Sequence, residues 1–251
     1  MMTKIAIFLI IFLQTFQIFS QDTTIVVTPA LNKDLKFKYE ALIIPATLVG
    51  FGVIGLESAS IKNMNTNTRD EIKEHIDENL SIDDFSQYAP FASVYALNAF
   101  GIKGKNNFKD RTIILTTAYL IMGGTVGILK STATVDRPDG TSSNSFPSGH
   151  TATAFMGAEF LYQEYKDVSI WYGISGYAVA TGTGFFRMYN NRHWLTDVAA
   201  GAGIGILSTK IAYWVHPLIK KTLFKDRKDT NGLVVPFYNG KEYGLGAVVR
   251  F

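Results

Sequence analysis

Long uncharged apolar blocks, several of them rich in glycine, constrain the fold of this chain more than any other feature of its sequence. Six apolar blocks follow one another, and only the fourth and the sixth contain acidic or basic residues: 41–56, 85–102, 112–129, 148–165, 168–186 and 198–219. Glycine weakens a lone helix in water, but it lets helix backbones approach closely, as they do in membrane bundles. We therefore expect an all-α fold, a membrane-embedded bundle of about six helices.

The two ends of the chain depart from this pattern. Lys4 and the apolar run 5–13 are typical of an export signal that is cut after Ser20, although an uncleaved anchor helix over 5–19 fits the same residues. The last residues, YGLGAVVRF, favour a short hairpin or strand. The expected domain order is a signal peptide (1–20), an N-terminal segment with one apolar helix and an acidic loop (21–84), a core (85–219) and a basic, strand-like tail (220–251).

Composition excludes several classes of site and partner. The chain has no cysteine, which rules out disulfides, thiolate metal ligands and a cysteine nucleophile. Its net charge of +3 is too small to indicate a nucleic-acid partner, and we expect none.

The motif PSGH, residues 147–150, predicts an anion site at the start of a helix. Pro147 suits the first helical turn, where free amides and the hydroxyl of Ser148 can bind an oxyanion. Gly149 has no side chain that would block a phosphate oxygen. An ordinary helix cap has the same pattern, so this motif alone leaves both interpretations open.

A histidine and an aspartate later in the chain predict a directed imidazole. His193 and Asp197 are four residues apart, so on a helix they share one face. The carboxylate can accept the proton of one ring nitrogen and leave the other nitrogen as a nucleophile or base. A purely structural hydrogen bond fits the same spacing.

Three cations lie at the ends of the apolar blocks: Lys130, Arg137 and Arg187. Lys130 and Arg137 are seven residues apart, or two helical turns, so they can point the same way before Pro138 ends the helix. A phosphate monoester carries about −1.5 to −2 charges near pH 7, which three cations would match. Each cation alone could instead be a solvated surface charge, but stray charges beside apolar blocks are costly.

Together these residues resemble the type 2 phosphatidic acid phosphatase (PAP2) superfamily, which also contains bacterial class A acid phosphatases and vanadium haloperoxidases. Its motifs, K-x6-R-P, P-S-G-H and S-R-x5-H-x3-D, match every charged and catalytic position here, over about residues 84–218. The resemblance implies that His193 attacks phosphorus, that Asp197 orients it, and that His150 protonates the leaving group. It implies no metal or other cofactor, and a phosphate held by five residues: Lys130, Arg137, Ser148, Gly149 and Arg187.

Two departures from the family pattern stand out. Phe186 occupies the position of the serine that normally precedes the arginine of the third motif, which removes one possible phosphate hydrogen bond. Only eight residues separate Pro138 from Pro147, which leaves little room for a lid between the first two motifs.

The leading expectation is a metal-independent phosphatase that hydrolyses a lipid phosphate or pyrophosphate in the inner membrane, with its active site facing the periplasm. Basic residues concentrate at 103–111 and 220–228, and the positive-inside rule puts both segments in the cytoplasm. If the signal is cut, six spans would place the site in the cytoplasm, against the distribution of basic residues. We therefore expect block 41–56 not to span.

Three alternatives remain at this stage. A mean hydropathy of only +0.12 favours a soluble periplasmic acid phosphatase of broad specificity. A vanadate-dependent haloperoxidase is the second alternative, because vanadate adopts the five-coordinate geometry that phosphorus has during phosphoryl transfer. A non-catalytic anion-binding protein would need the cations but not the two histidines and Asp197.

Overall fold

The structure is a computed structural model that describes residues 39–74, 81–223, 231–238 and 243–250. The predicted signal peptide and much of the basic run after the sixth block lie outside these residues. The described part contains eight helices and two strands: α1 (Glu40–Ile54), α2 (Ala59–Glu74), α3 (Ile82–Ser86), α4 (Ala89–Ala99), α5 (Phe108–Thr132), α6 (Gly149–Tyr165), α7 (Ile170–Tyr189), α8 (Leu195–Leu223), β1 (Asn231–Tyr238) and β2 (Tyr243–Arg250).

The predicted all-α class is confirmed, and the expected tail hairpin is present. β1 and β2 pair in antiparallel register from Asn231 opposite Arg250 to Tyr238 opposite Tyr243. The helix count exceeds six for two reasons. The polar stretch 59–74 is helical, and block 85–102 is divided between α3 and α4, with Pro90 in the first turn of α4. At 11 residues, or about 16 Å, α4 is too short to cross a membrane.

Helix α6 is the centre of the bundle, because 12 of its 17 residues are buried. It packs against α4, α5, α7 and α8. Its core-facing side chains include Met156, Phe160 and Tyr165, which join Ile114 of α5 and Tyr213 of α8 in one hydrophobic cluster. The start of α6 therefore belongs to a helix that the hydrophobic core anchors along most of its length.

Small residues allow the close approach of helices, as predicted, along α8. A Cβ on Gly201 would come 2.5 Å from the carbonyl oxygen of Ser148, and a Cβ on Gly205 would come 2.3 Å from that of Ala152. On the opposite face, Gly203 lies against α1. The same prediction is wrong for the three glycines of α5, at 123, 124 and 127, where a Cβ would meet nothing within 4 Å among the described residues.

The outer surface identifies a membrane protein. Large apolar side chains face outward, among them Leu120, Ile128, Trp171 and Phe185. Two described helices, α5 and α8, are long and apolar enough to cross a membrane, or three spans are possible if the bent pair α1 and α2 counts as one. At 15 residues α1 alone is short for a span, but the bent pair could cross as one, so the expectation that block 41–56 does not span stays a prediction. It meets α2 at an angle of 96°.

Four helix ends meet at one end of the bundle. α5 ends and α6 begins there, joined by the loop 133–148, and α7 ends and α8 begins there, joined by the turn 190–194. Helix α2 also reaches this end, because the Asn65 side chain donates to the hydroxyl of Thr196 (2.9 Å) and accepts from its amide (3.2 Å). This is the end that carries the three sequence motifs.

Candidate active site

The two cations of the first motif bond to the same residue, but they do not share a helix face as their spacing predicts. Lys130 lies in the last turn of α5, but the helix ends at Thr132, so Arg137 stands in the loop and not two turns further along the helix. Both side chains nevertheless converge on Asn144. Lys130 Nζ donates to its carbonyl oxygen (2.6 Å), and Arg137 Nε donates to its Oδ1 (3.2 Å). The loop, rather than a shared helix face, aligns the two cations.

The PSGH motif starts helix α6, as predicted. Ser148 is buried and precedes the helix, its amide donates to the carbonyl oxygen of Asp197 (3.0 Å), and its hydroxyl is paired with that of Thr151 (2.9 Å). The amides at the start of a helix have no intrahelical acceptor, so those of Gly149 and His150 are the first donors for an anion. A phosphate role for the Ser148 hydroxyl stays a prediction.

His193 is not on a helix. It lies in the turn before α8, which begins at Leu195, so the expected i,i+4 face is replaced by a capping arrangement. Asp197 Oδ2 accepts the amide of Trp194 (2.9 Å), the residue just before the helix, and lies 3.5 Å from His193 Nδ1. The Asp197 carboxylate thus caps the start of α8 and also faces the imidazole of His193.

Ser145 is the third member of this group, and the motifs do not include it. Its side chain is fully buried, and its hydroxyl donates to Asp197 Oδ2 and lies 3.4 Å from His193 Nδ1. The only sequence signal for it is that it stands two residues before Pro147. The Nδ1 edge of His193 therefore faces Ser145 and Asp197, which leaves Nε2 as the ring nitrogen available to a substrate.

The environment keeps His193 neutral. Burial lowers its pKa from 6.5 to about 4, a shift that Asp197 opposes and that the charges of Arg187 and Lys130 reinforce. At pH 7 the ring is therefore an unprotonated imidazole with a free electron pair. Such a ring is fit to act as a nucleophile or base.

Arg187 connects the remaining predicted residues. It lies in the last turn of α7 and is 6% exposed. Its charge lowers the pKa of both His193 and His150, so it stands close to the two imidazoles. Burial lowers the pKa of Arg137, and the charges of Arg192 and Arg187 lower it further, which places these guanidinium groups near one another.

Two aspartates of the acidic stretch belong to the same site. Asp83 is 1% exposed and accepts from Arg187 Nη1, and Asp84 Oδ1 lies 3.1 Å from His150 Nε2. The expected acidic loop therefore contributes two carboxylates to the site. The charge run itself gives no signal of the contact, since a surface helix has the same composition. The position of the pair at the edge of an apolar block was the one available hint.

Part of the chain matches the model of a known family. Residues 111–221 match the model of the PAP2 superfamily. The chain is 42% identical over 139 residues to a lipid A 1-phosphatase of Porphyromonas gingivalis, covering 55% of this chain and 31% of that protein. It is 34% identical over 74 residues to the bacitracin transport permease protein BcrC of Bacillus licheniformis, covering 30% of this chain and 34% of that protein. The chain thus spans about a third of the length of each of these curated relatives.

Two solved structures are similar, each with a TM-score of 0.46. LpxE of Aquifex aeolicus is 24% identical, covering 59% of this chain and 94% of that one. A PAP2 type phosphatidylglycerolphosphate phosphatase of Bacillus subtilis is 20% identical, covering 71% of this chain and 98% of that one. The match to the PAP2 superfamily model, over residues 111–221, contains all three motifs, from Lys130 to Asp197.

Proposed function

We propose that the chain is a metal-independent phosphatase that hydrolyses a lipid phosphate or pyrophosphate through a phosphohistidine intermediate, at the outer face of the inner membrane. One observation carries the proposal. A neutral, buried His193, oriented by Asp197, stands among Lys130, Arg137 and Arg187, which match the charge of a phosphate group. A non-catalytic anion site would need the cations but no imidazole held in this way.

The first chemical step transfers the phosphoryl group to the protein. The electron pair of His193 Nε2 forms a bond to phosphorus while the bond from phosphorus to the leaving oxygen breaks. His150 gives its proton to that oxygen, which leaves as an alcohol, or as a phosphate if the substrate is a pyrophosphate. The amide of Gly149 and the three cations stabilise the charge that spreads over the equatorial oxygens.

The second step returns the protein to its starting state. A water molecule gives a proton to the now neutral His150 and attacks phosphorus. The phosphorus–nitrogen bond breaks, and its electron pair returns to His193 Nε2. The net reaction consumes one water molecule and releases inorganic phosphate. His150 and His193 both end with the protonation that they had at the start.

The lipid character of the substrate follows from the setting of the site. The site lies at the end of a bundle with an apolar outer surface, and a polar cavity of about 550 Å³ opens beside Asp83, Asp84 and Arg187. One relative is named a lipid A 1-phosphatase. A substrate anchored in the bilayer could bring its phosphate to this end of the bundle while its acyl chains remain among lipids.

A substrate panel tests the function. The full chain, purified in detergent, is given lipid phosphates, lipid pyrophosphates and soluble phosphate esters, with EDTA present throughout. We expect phosphate release from at least one lipid and an acid-labile, alkali-stable phosphoenzyme, both absent in His193→Gln. Turnover of soluble esters alone would favour the acid-phosphatase alternative, and restoration of activity only by added metal would remove the metal-independent mechanism.

Cysteine labelling tests the orientation, because the natural chain has no cysteine of its own. Thr141→Cys places a thiol in the exposed loop at the site, and Lys103→Cys places one in the exposed basic loop between α4 and α5. In spheroplasts, a membrane-impermeant maleimide should label the cysteine at position 141 and reach the one at position 103 only after lysis. The reverse pattern would place the active site in the cytoplasm.

A further inference from the structure

Helix α3 carries two adjacent aspartates into the active site from outside the family match at residues 111–221. The helix is anchored to α7 at two points. Ser86 Oγ lies 2.7 Å from Thr183 Oγ1, and Asp83 accepts from Arg187. Gln87 Nε2 donates to the carbonyl oxygen of Asp84 (3.0 Å), which fixes the backbone at the second aspartate.

The two aspartates differ in exposure and in partner. Asp83 is buried, and both of its oxygens are used, Oδ2 by Arg187 and Oδ1 by the side-chain amide of Asn190 (2.9 Å). The Asp84 side chain is 57% exposed, and His150 is its nearest charged contact among those described, at 3.1 Å. Asp83 therefore pairs with Arg187, whereas Asp84 pairs with His150, the proton donor of the proposed function.

A metal ion is a poorer explanation of the same cluster. Asp83, Asp84 and His150 offer ligand atoms within 4.8 Å of one another. Both oxygens of Asp83 are already taken, and Arg187 brings a positive charge to the same place. A cation would have to displace the buried ion pair of Asp83 with Arg187, which would leave a buried charge without its partner.

Three charged groups act on His150 from two helices. Arg187 of α7 disfavours the protonated ring, whereas Asp83 and Asp84 of α3 favour it, with Asp84 in direct contact. Burial has the largest influence on the pKa of His150 and, with Arg187, holds it below 6.5. Without the opposing carboxylate of Asp84 the pKa would fall further, and the protonated fraction would shrink. A neutral His150 could not protonate an alkoxide.

We propose that Asp84 is a positioning residue for the reaction, whose carboxylate holds His150 at the mouth of the site as a proton donor for the leaving oxygen. This rests on the proposed function. The proton moves from His150 to the departing alkoxide as the phosphorus–oxygen bond breaks, and Asp84 takes up no proton itself. A good leaving group departs without this proton, so the role of Asp84 depends on the leaving group.

A matched substrate pair tests this dependence. O-dodecyl phosphate releases an alkoxide that needs a proton, whereas S-dodecyl phosphorothiolate has nearly the same shape and releases a thiolate that does not. For Asp84→Asn we expect kcat/KM to fall about tenfold or more on the oxygen ester and less than about threefold on the sulfur ester. Asp84→Glu should recover part of the loss. The exposed Asp167→Asn, at the far end of α6, is the matched control and should change neither value.

The outcomes separate this inference from the function on which it rests. If wild type turns over neither substrate, the proposed function fails and takes the inference with it. If wild type is active and Asp84→Asn loses equal amounts on both substrates, or loses nothing, the positioning role is wrong while the phosphatase remains. Unchanged thermal unfolding of Asp84→Asn in detergent shows that any loss is not a loss of fold.

Discussion

Gly201 of α8 lies against the carbonyl oxygen of Ser148, so closely that a Cβ at position 201 would stand 2.5 Å from that oxygen. This contact sets the spacing between the start of α6, which offers its amides to the anion, and the first turns of α8, which hold Asp197. A residue outside the three motifs therefore controls the relative position of the two halves of the site.

The first prediction follows from this contact. Gly201→Ala should push the start of α6 away, lower kcat/KM at least tenfold and reduce stability by about 1–3 kcal/mol, as overpacking does. Gly123→Ala in α5 is the matched control, because a Cβ there meets nothing within 4 Å among the described residues. It should leave activity unchanged and thermal unfolding unchanged or raised. Equal tolerance of both changes would show that the spacing of α6 and α8 is not critical.

The second prediction concerns the buried ion pair. Arg187→Ala would leave Asp83, 1% exposed, as an uncompensated buried charge, which costs about 3–5 kcal/mol. The double variant Asp83→Ala/Arg187→Ala removes that charge and should recover much of the melting temperature, although not the phosphatase activity. If the double variant were as unstable as the single one, the pair would not be the source of the loss.

The third prediction concerns the group behind the nucleophile. Ser145→Ala removes the hydroxyl that donates to Asp197 and faces His193, so we expect kcat to fall about tenfold with little change in KM. Asp197→Asn should lower kcat about 10²–10⁴-fold, because a neutral amide no longer favours a proton on His193 Nδ1. Ser142→Ala, in the same loop and bonded only to Asn144 among the described contacts of its hydroxyl, is the control. A larger effect from Ser142→Ala than from Ser145→Ala would contradict the assignment.

The fourth prediction is a pH dependence of stability. The pKa of His193 is about 4 in the folded protein and 6.5 without the fold, so the folded state binds this proton more weakly. The stabilisation is complete above pH 6.5 and is lost as the pH falls toward 4, by about 3 kcal/mol. Melting temperatures of wild type and His193→Gln, followed from pH 7 to pH 4, measure the difference. The wild type should lose more stability over this range, and parallel curves would disprove the shift.

The sequence by itself determined the fold class and named the motif residues of the candidate site, whose roles stay predictions. The long apolar blocks indicated helices, and the tail pattern indicated a hairpin, which β1 and β2 form. Spacing also brought Lys130 and Arg137 together correctly, but for the wrong reason, since α5 ends at Thr132 and the loop at Asn144 aligns them. Pattern matching identifies which residues a site needs without describing the backbone that presents them.

Only the tertiary structure decided which other side chains complete the site. Asp83, Asp84 and Ser145 belong to no motif, and Asp84 is 66 residues from the histidine that it contacts. The physical reason is that a motif records residues held by one short segment, where spacing fixes geometry. Contacts between distant segments depend on how helices pack, and here that is set by glycines such as Gly201 and by the anchoring of α3 on α7, which no local pattern encodes.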